Sequence, residues 1–171
     1  MIGIKDLIQG GAKAPEGPLE HLQACHRRIE DRLATLERAG EALERCPAEA
    51  VDAILKSIEF FDRNGVWHTE DEEQSVFPRL LERLSADEAA TLRRLEEEHE
   101  RAEELHQRLK TLVTALPWAA EEFRGCVREL AALYRAHIEV EDSELMAAAQ
   151  RVLTADELEA IGAEMKERRK P

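Results

Sequence analysis

Four stretches of this chain carry apolar residues at alternating steps of three and four, and each places a histidine inside the apolar stripe. Such a stripe covers one face of an α-helix. The chain is thereby constrained to a fold of helices whose buried faces contain imidazoles. The first stripe reads Leu22, His26, Ile29, Leu33, Leu36, Gly40, Leu43, and the second Ile54, Ile58, Phe61, Gly65, His68, Glu72, Ser75. The third reads Leu92, Leu95, His99, Ala102, His106, Leu109, Val113, and the fourth Phe123, Val127, Leu130, Tyr134, His137, Glu141. The order is doubled. A helix offering one histidine (His26, His99) is followed each time by a helix offering His-x-x-x-Glu (His68 with Glu72, His137 with Glu141).

With 37 acidic residues in the chain, a Glu four places after a His is not informative alone. Glu30 and Glu103 stand in the same relation to His26 and His99. Stripe phase separates the two kinds. After His26 and His99 the stripe steps by three, to Ile29 and Ala102, and leaves those glutamates off it. After His68 and His137 it steps by four and lands on Glu72 and Glu141. Residues four apart on a helix have Cβ atoms about 5–6 Å apart, so only these two glutamates share an inward face with their histidine.

A carboxylate on a buried face is costly unless it is paired or metal-bound. Four imidazoles and two carboxylates facing one another suit two transition-metal ions, each taking two histidines and sharing both glutamates. Iron, manganese and zinc accept such donors, and the lack of thiolates on the stripes speaks against an iron–sulfur cluster. Open coordination positions would remain for a small molecule.

The remainder of the chain supports a single helical domain. Ala, Leu, Glu and Arg dominate, with only 8 Gly and 6 Pro in 171 residues, a composition of high helix propensity. Residues 1–17 read as an N-terminal arm, broken by Gly10-Gly11 and by Pro15 to Pro18. Helices are expected over about 18–45, from Pro47 to an end or kink at Pro78, from a capping box at Ser85-Ala-Asp-Glu88, and from Pro117. A second capping box, Thr154-Ala-Asp-Glu157, predicts a short fifth helix over about 155–168. The expected fold is all-α: an up-down-up-down four-helix bundle over residues 18–171, with a short C-terminal helix.

A net charge of −13 argues against a nucleic-acid partner, whose phosphates require a basic face. No apolar run approaches the roughly 18 residues of a membrane helix. The N-terminus lacks a basic start followed by a long apolar core, so it does not read as a signal peptide. Cys25, Cys46 and Cys126 are odd in number and widely spaced, which suits the reducing cytoplasm.

Four segments resemble the hemerythrin-like (HHE cation-binding) family over about residues 18–150. They are Leu19-Glu-His-Leu-Gln-Ala-Cys-His-Arg-Arg-Ile29, Trp67-His-Thr-Glu-Asp-Glu-Glu-Gln-Ser-Val-Phe-Pro78, Glu98-His99 and Ala136-His-Ile-Glu-Val-Glu-Asp142. The resemblance implies a non-haem di-iron centre with bridging carboxylates. It also implies a role in binding or sensing oxygen, sensing iron, or handling nitric oxide or peroxide. Many relatives carry a second histidine where this chain has Thr69. The oxygen carriers carry an extra one where it has Leu95, so the ligand count is closer to that of the iron-centre repair proteins. In the carriers the last carboxylate falls five residues after its histidine, which is Asp142 here; stripe phase favours Glu141, and Asp142 stands as the alternative.

Three functions follow as expectations: a module that binds oxygen, nitric oxide or peroxide, an enzyme that consumes peroxide or nitric oxide, and an iron-handling or repair protein. The protein partner and electron donor are not legible. Among other residues, His106 reads as a core or pocket-lining group too far along the axis to reach the same metals, and His21 as surface or outer-layer. Cys25 reads as a small buried apolar side chain, with a redox role as the alternative, and Trp67 as packing against a loop. Tyr134 reads either as a donor toward a ligand or as a buried Tyr bonded elsewhere. Gly65 leaves room for a diatomic molecule, or permits close helix packing or a bend.

Overall fold

Proline, which has no N–H to lose, is placed where a helix wastes its first donors. Pro18 opens α1 (Pro18–Ala42) after Gly17 in extended backbone, and Pro47 opens α2, over residues 47–81. The third helix, α3 (Ala86–Val113), begins with a complete capping box. Ser85 Oγ accepts the Glu88 N–H, and the Glu88 carboxylate accepts the Ser85 N–H. After α4, over residues 120–152, the same device at Thr154 and Glu157 opens α5 (Ala155–Arg168). Each cap stabilises its helix by about 1 kcal/mol. This computed structural model describes residues 17–170, and the expected arm lies outside them except for Gly17.

The connections between α1, α2, α3 and α4 are short turns, and sequential helices pack side by side, with α4 closing the ring against α1. That is the expected up-down-up-down bundle. Gly40 sits where α1 meets α4. A Cβ there would come within 3.3 Å of Arg124 Cγ and 3.5 Å of Phe123, so glycine lets the two helices approach.

Local boundaries differ from the sequence expectation in instructive ways. Pro78 does not end α2, which continues to Leu81. A proline inside a helix lacks one donor and crowds the carbonyl four residues back. Here the preceding turn, Glu72–Val76, is widened to the π form. Two more π-type turns occur at Phe61–Gly65 in α2 and Glu141–Leu145 in α4. Glu72 and Glu141 each begin such a turn, and wide turns inside helices frequently mark functional positions. α3 ends at Val113, and Pro117 lies in the turns ahead of α4 rather than in its first turn.

The core has two apolar layers. One contains Leu33, Leu36, Ile54, Leu109 and Phe123. The other contains Leu22, Phe77, Leu80, Leu92 and Leu95, closed by Ile161 and Met165 of α5. Each fully buried Leu, Ile or Phe contributes about 2 kcal/mol, which offsets the cost of the polar residues held between the layers. The predicted stripes are buried throughout except Val113 and Tyr134, which are half-buried.

The fifth helix is fastened to α2 by charge. Asp71, off the predicted stripe yet 0% exposed, accepts from Arg168 Nη1 at 2.8 Å and Arg169 Nη2 at 2.6 Å, while Arg168 Nη2 reaches Ser75 Oγ at 2.6 Å. Trp67 packs under the same end of α5, with the guanidinium carbons of Arg63 and Arg169 4.9 and 5.5 Å from its ring centre, rather than against a loop.

Candidate metal centre

The stripes converge midway along the bundle. His26 of α1, His68 and Glu72 of α2, His99 of α3, and His137 and Glu141 of α4 are all buried, both glutamates at 0% exposure. They form two groups that share the glutamates: His26, His68, Glu72 and Glu141, and Glu72, His99, His137 and Glu141. Within each group one donor atom per residue lies within 4.8 Å of every other.

The oxygens of each carboxylate are divided between the groups. Glu72 Oε1 lies 3.4 Å from His68 Nε2 and 3.7 Å from His26 Nε2, whereas its Oε2 lies 3.3 Å from His99 Nε2. Glu141 Oε2 lies 3.1 Å from His26 Nε2, and its Oε1 lies 3.1 Å from His137 Nε2. Each glutamate therefore faces both histidine pairs, one oxygen to each. All four imidazoles turn Nε2 inward.

Three of the outward nitrogens meet carboxylates. His26 Nδ1 is 2.9 Å from Asp142, His99 Nδ1 2.8 Å from Glu73, and His137 Nδ1 3.0 Å from Glu98. A carboxylate at Nδ1 holds the proton of a neutral imidazole there and leaves the Nε2 lone pair aimed at the centre. The geometry also separates Glu141 from Asp142: Glu141 enters the cluster, and Asp142 supports His26 from outside. Glu30 and Glu103, rejected on phase, pair elsewhere, Glu30 with Arg135 and Glu103 with Gln107.

Among the described residues, His26, His99 and His137 Nε2 and all four oxygens of Glu72 and Glu141 are buried without a hydrogen-bond partner. Their mutual separations of 3.1–3.7 Å bring them close, but they are misdirected for bonding to one another. Buried polar groups are nearly always satisfied. Seven orphaned donor atoms gathered in one place fit cations as their common partner. The hemerythrin HHE cation-binding domain matches residues 17–149 of this sequence. The chain belongs to this family. A comparison with curated proteins finds no match.

As a hemerythrin HHE protein it is a metal-binding helical domain, and its departures at Thr69 and Leu95 acquire a structural sense. Leu95 is 0% exposed within the second apolar layer, where a fifth histidine would be set among aliphatic side chains. Thr69 lines a cleft of about 280 Å³ between α2 and α3 that His99 also lines. Phe61, Gly65 and Ala102 form its apolar wall, and Glu70, Glu73, Glu100 and Glu103 surround it with negative charge.

His106 and Tyr134 add polar groups to this cleft. His106 Nε2 is 2.9 Å from Asp62, which also accepts from Lys110, so His106 is the pocket-lining residue expected and not part of the centre. Burial pushes the Tyr134 hydroxyl well above its ordinary pKa, and the Glu72, Glu103 and Glu141 carboxylates push it further; it stays protonated and able to donate. A Cβ at Gly65 would meet only Phe61, at ordinary contact distances of 3.4 and 3.8 Å. Helix packing therefore does not require glycine there, and the space it leaves belongs to the cleft. His21 is half-buried, with Nε2 3.7 Å from Cys25 Sγ.

Sequence reasoning missed the outer carboxylates Glu73 and Glu98, which meet the Nδ1 atoms of His99 and His137. A weak signal existed, since Glu73 and Asp142 each follow a stripe glutamate and Glu98 precedes a stripe histidine. All three lie off the stripes, among many surface acids.

Proposed function

We propose that this protein holds two iron ions between its four long helices and takes up oxygen, nitric oxide or peroxide at an open coordination position, to sense, buffer or answer redox stress. His26 and His68 would hold one ion, His99 and His137 the other, with Glu72 and Glu141 bridging. Manganese or zinc could substitute. The observation carrying this reading is the division of each carboxylate between the two histidine pairs. In a cluster of ordinary ion pairs these oxygens would be hydrogen-bonded to the imidazoles, and among the described residues none of the four has a hydrogen-bond partner. Two imidazoles and two carboxylate oxygens give each ion four protein donors, and iron accepts more. When bound, iron supplies redox chemistry and an electrophilic site for a small ligand.

The chain's own residues prepare the approach. The cleft between α2 and α3 gives a small molecule a path to His99, Gly65 keeps it open, and Tyr134 adds a hydroxyl to its lining. The apolar layers on either side keep bulk water from the carboxylates. The acidic surface makes nucleic acid an unsuitable partner, and none of the described helices is long and apolar enough to cross a membrane. The three cysteines, free in the structure, accord with a reducing cytoplasm.

A second reading, an iron-handling or iron-centre repair protein, is favoured by Leu95. Without a fifth histidine the centre has fewer protein donors than an oxygen carrier. A peroxide- or nitric-oxide-consuming oxidoreductase is the third, and it requires an electron donor or a disproportionation cycle.

Nitric oxide added anaerobically to the iron-loaded protein tests the ligand-binding reading. A spectral change that reverses on purging supports it, and irreversible loss of iron or the absence of any change counts against it. In the same assay Gly65→Leu fills the cleft and is expected to slow association about tenfold, the order of effect when a small-molecule site is mis-shaped, with unchanged iron content. An unaltered rate would mean that the ligand enters elsewhere.

A further inference from the structure

The doubling of the chain extends to the outer carboxylates. His26 corresponds to His99, His68 to His137, and Glu72 to Glu141. Asp142, directly after Glu141, supports His26; Glu73, directly after Glu72, supports His99. Glu98, directly before His99, supports His137. By the same rule the partner of His68 should come from the residue directly before His26. That residue is Cys25.

The correspondence fails at this one place. His68 is 2% exposed, and its Nδ1 has no hydrogen-bond partner among the described residues. Cys25 is engaged elsewhere: its Sγ accepts from Arg28 Nη2 at 3.0 Å and lies 3.7 Å from His21 Nε2.

A carboxylate on the far nitrogen of an imidazole strengthens the near nitrogen as a donor, fixes its tautomer and holds the ring in place. Losing such a partner typically weakens metal affinity about 10–100-fold. Both histidines of the His99/His137 position have one. At the His26/His68 position, among the described residues, only His26 does.

We propose that the two metal positions are unequal, the His99/His137 position filling first and retaining its ion while the His26/His68 position binds more weakly and exchanges. This rests on the two-metal reading and refines it. One retained ion beside one exchangeable ion suits a protein that donates or senses a metal better than a symmetric pair does.

Two dications repel each other, so even equal positions would fill in two steps; which position fills first is the informative observation. The test is anomalous diffraction from crystals of the full chain, stripped of metal and given one equivalent of zinc. The expected result is strong signal between His99 and His137 and at most about a tenth of it between His26 and His68. Glu98→Gln, which weakens the favoured position from a half-exposed site, is expected to bring the two signals close to equality. Cys25→Glu should do so by strengthening the other position, and Glu98→Gln carries the test alone if Cys25→Glu fails to fold. Equal signals in the unaltered protein, filling in the opposite order, or a distribution unmoved by Glu98→Gln would overturn the proposal. Absence of signal at both positions would overturn the metal reading itself, a distinct failure.

Discussion

Chelation lowers the thermal unfolding midpoint of the metal-loaded protein by roughly 8–16 °C. An ion present at about a thousand times its dissociation constant stabilises the folded state by about 4 kcal/mol, and each kcal/mol is worth about 2–4 °C in a domain of this size. The physical origin lies in Glu72 and Glu141. Both are 0% exposed, and their oxygens have no directed partner among the described residues. Without cations the bundle encloses two carboxylates that must be neutralised by protons on imidazoles in poor geometry. Thermal scans by circular dichroism, before and after chelation at pH 7, measure the change. An unchanged midpoint would mean that the centre is already satisfied without metal.

Metal affinity rises steeply between pH 6 and pH 8, by about tenfold per pH unit for each proton displaced. In the metal-free cluster burial pushes His26 down, but the facing Glu141 and Glu72 carboxylates outweigh it and lift its pKa to about 11. His99 is lifted to about 10 against the same burial, by Glu72 and Glu73. His137 is raised by Glu141 despite burial, whereas burial lowers His68. At pH 6 three imidazoles are thus protonated, and each must lose its proton before Nε2 can bind a cation. Burial works against ionisation of Glu72 and Glu141, but the surrounding imidazoles hold both below the ordinary value of 4.5.

The metal-free protein shows the opposite trend. The raised histidines contribute stability that is fully present below their unfolded value of 6.5 and is lost as pH rises toward about 10 and 11. The depressed glutamates contribute stability present above 4.5 and lost as pH falls through their lowered values. The stripped protein is therefore held best by this cluster between about pH 4.5 and 6.5, and the gap between loaded and stripped midpoints widens toward pH 8. Competition against a chromophoric chelator at pH 6, 7 and 8 measures the affinity, and calorimetry in buffers of different ionisation enthalpy counts the protons. A pH-independent affinity with no proton release would contradict the protonated cluster.

Stripe phase made the inner part of this protein legible. It placed Leu33, Leu36 and Phe123 in the core, and it separated Glu72 and Glu141 from Glu30 and Glu103, because helical geometry alone decides which residues share a face. Capping boxes at Ser85 and Thr154 were readable because their partners lie three residues away. What escaped depends on contacts between distant residues. Asp71 lies off the stripe of α2 and is buried only because α5 returns with Arg168 and Arg169. Glu73 and Glu98 act across helix boundaries on His99 and His137, at distances that no local pattern encodes. The π-type turns are also invisible to a regular periodicity, which assumes a constant turn. Pro78 predicts an end or a kink, but a widened turn lets the helix continue past it.

The most direct test of the central claim is the metal content of each chain, measured by elemental analysis on protein produced with iron and purified without chelators or an affinity metal column. The account predicts about two irons per chain, the number that two histidine pairs sharing two bridging carboxylates would hold, and little metal in a variant with both Glu72→Ala and Glu141→Ala. A folded protein that binds no metal, or one that keeps its iron without those two glutamates, would contradict it.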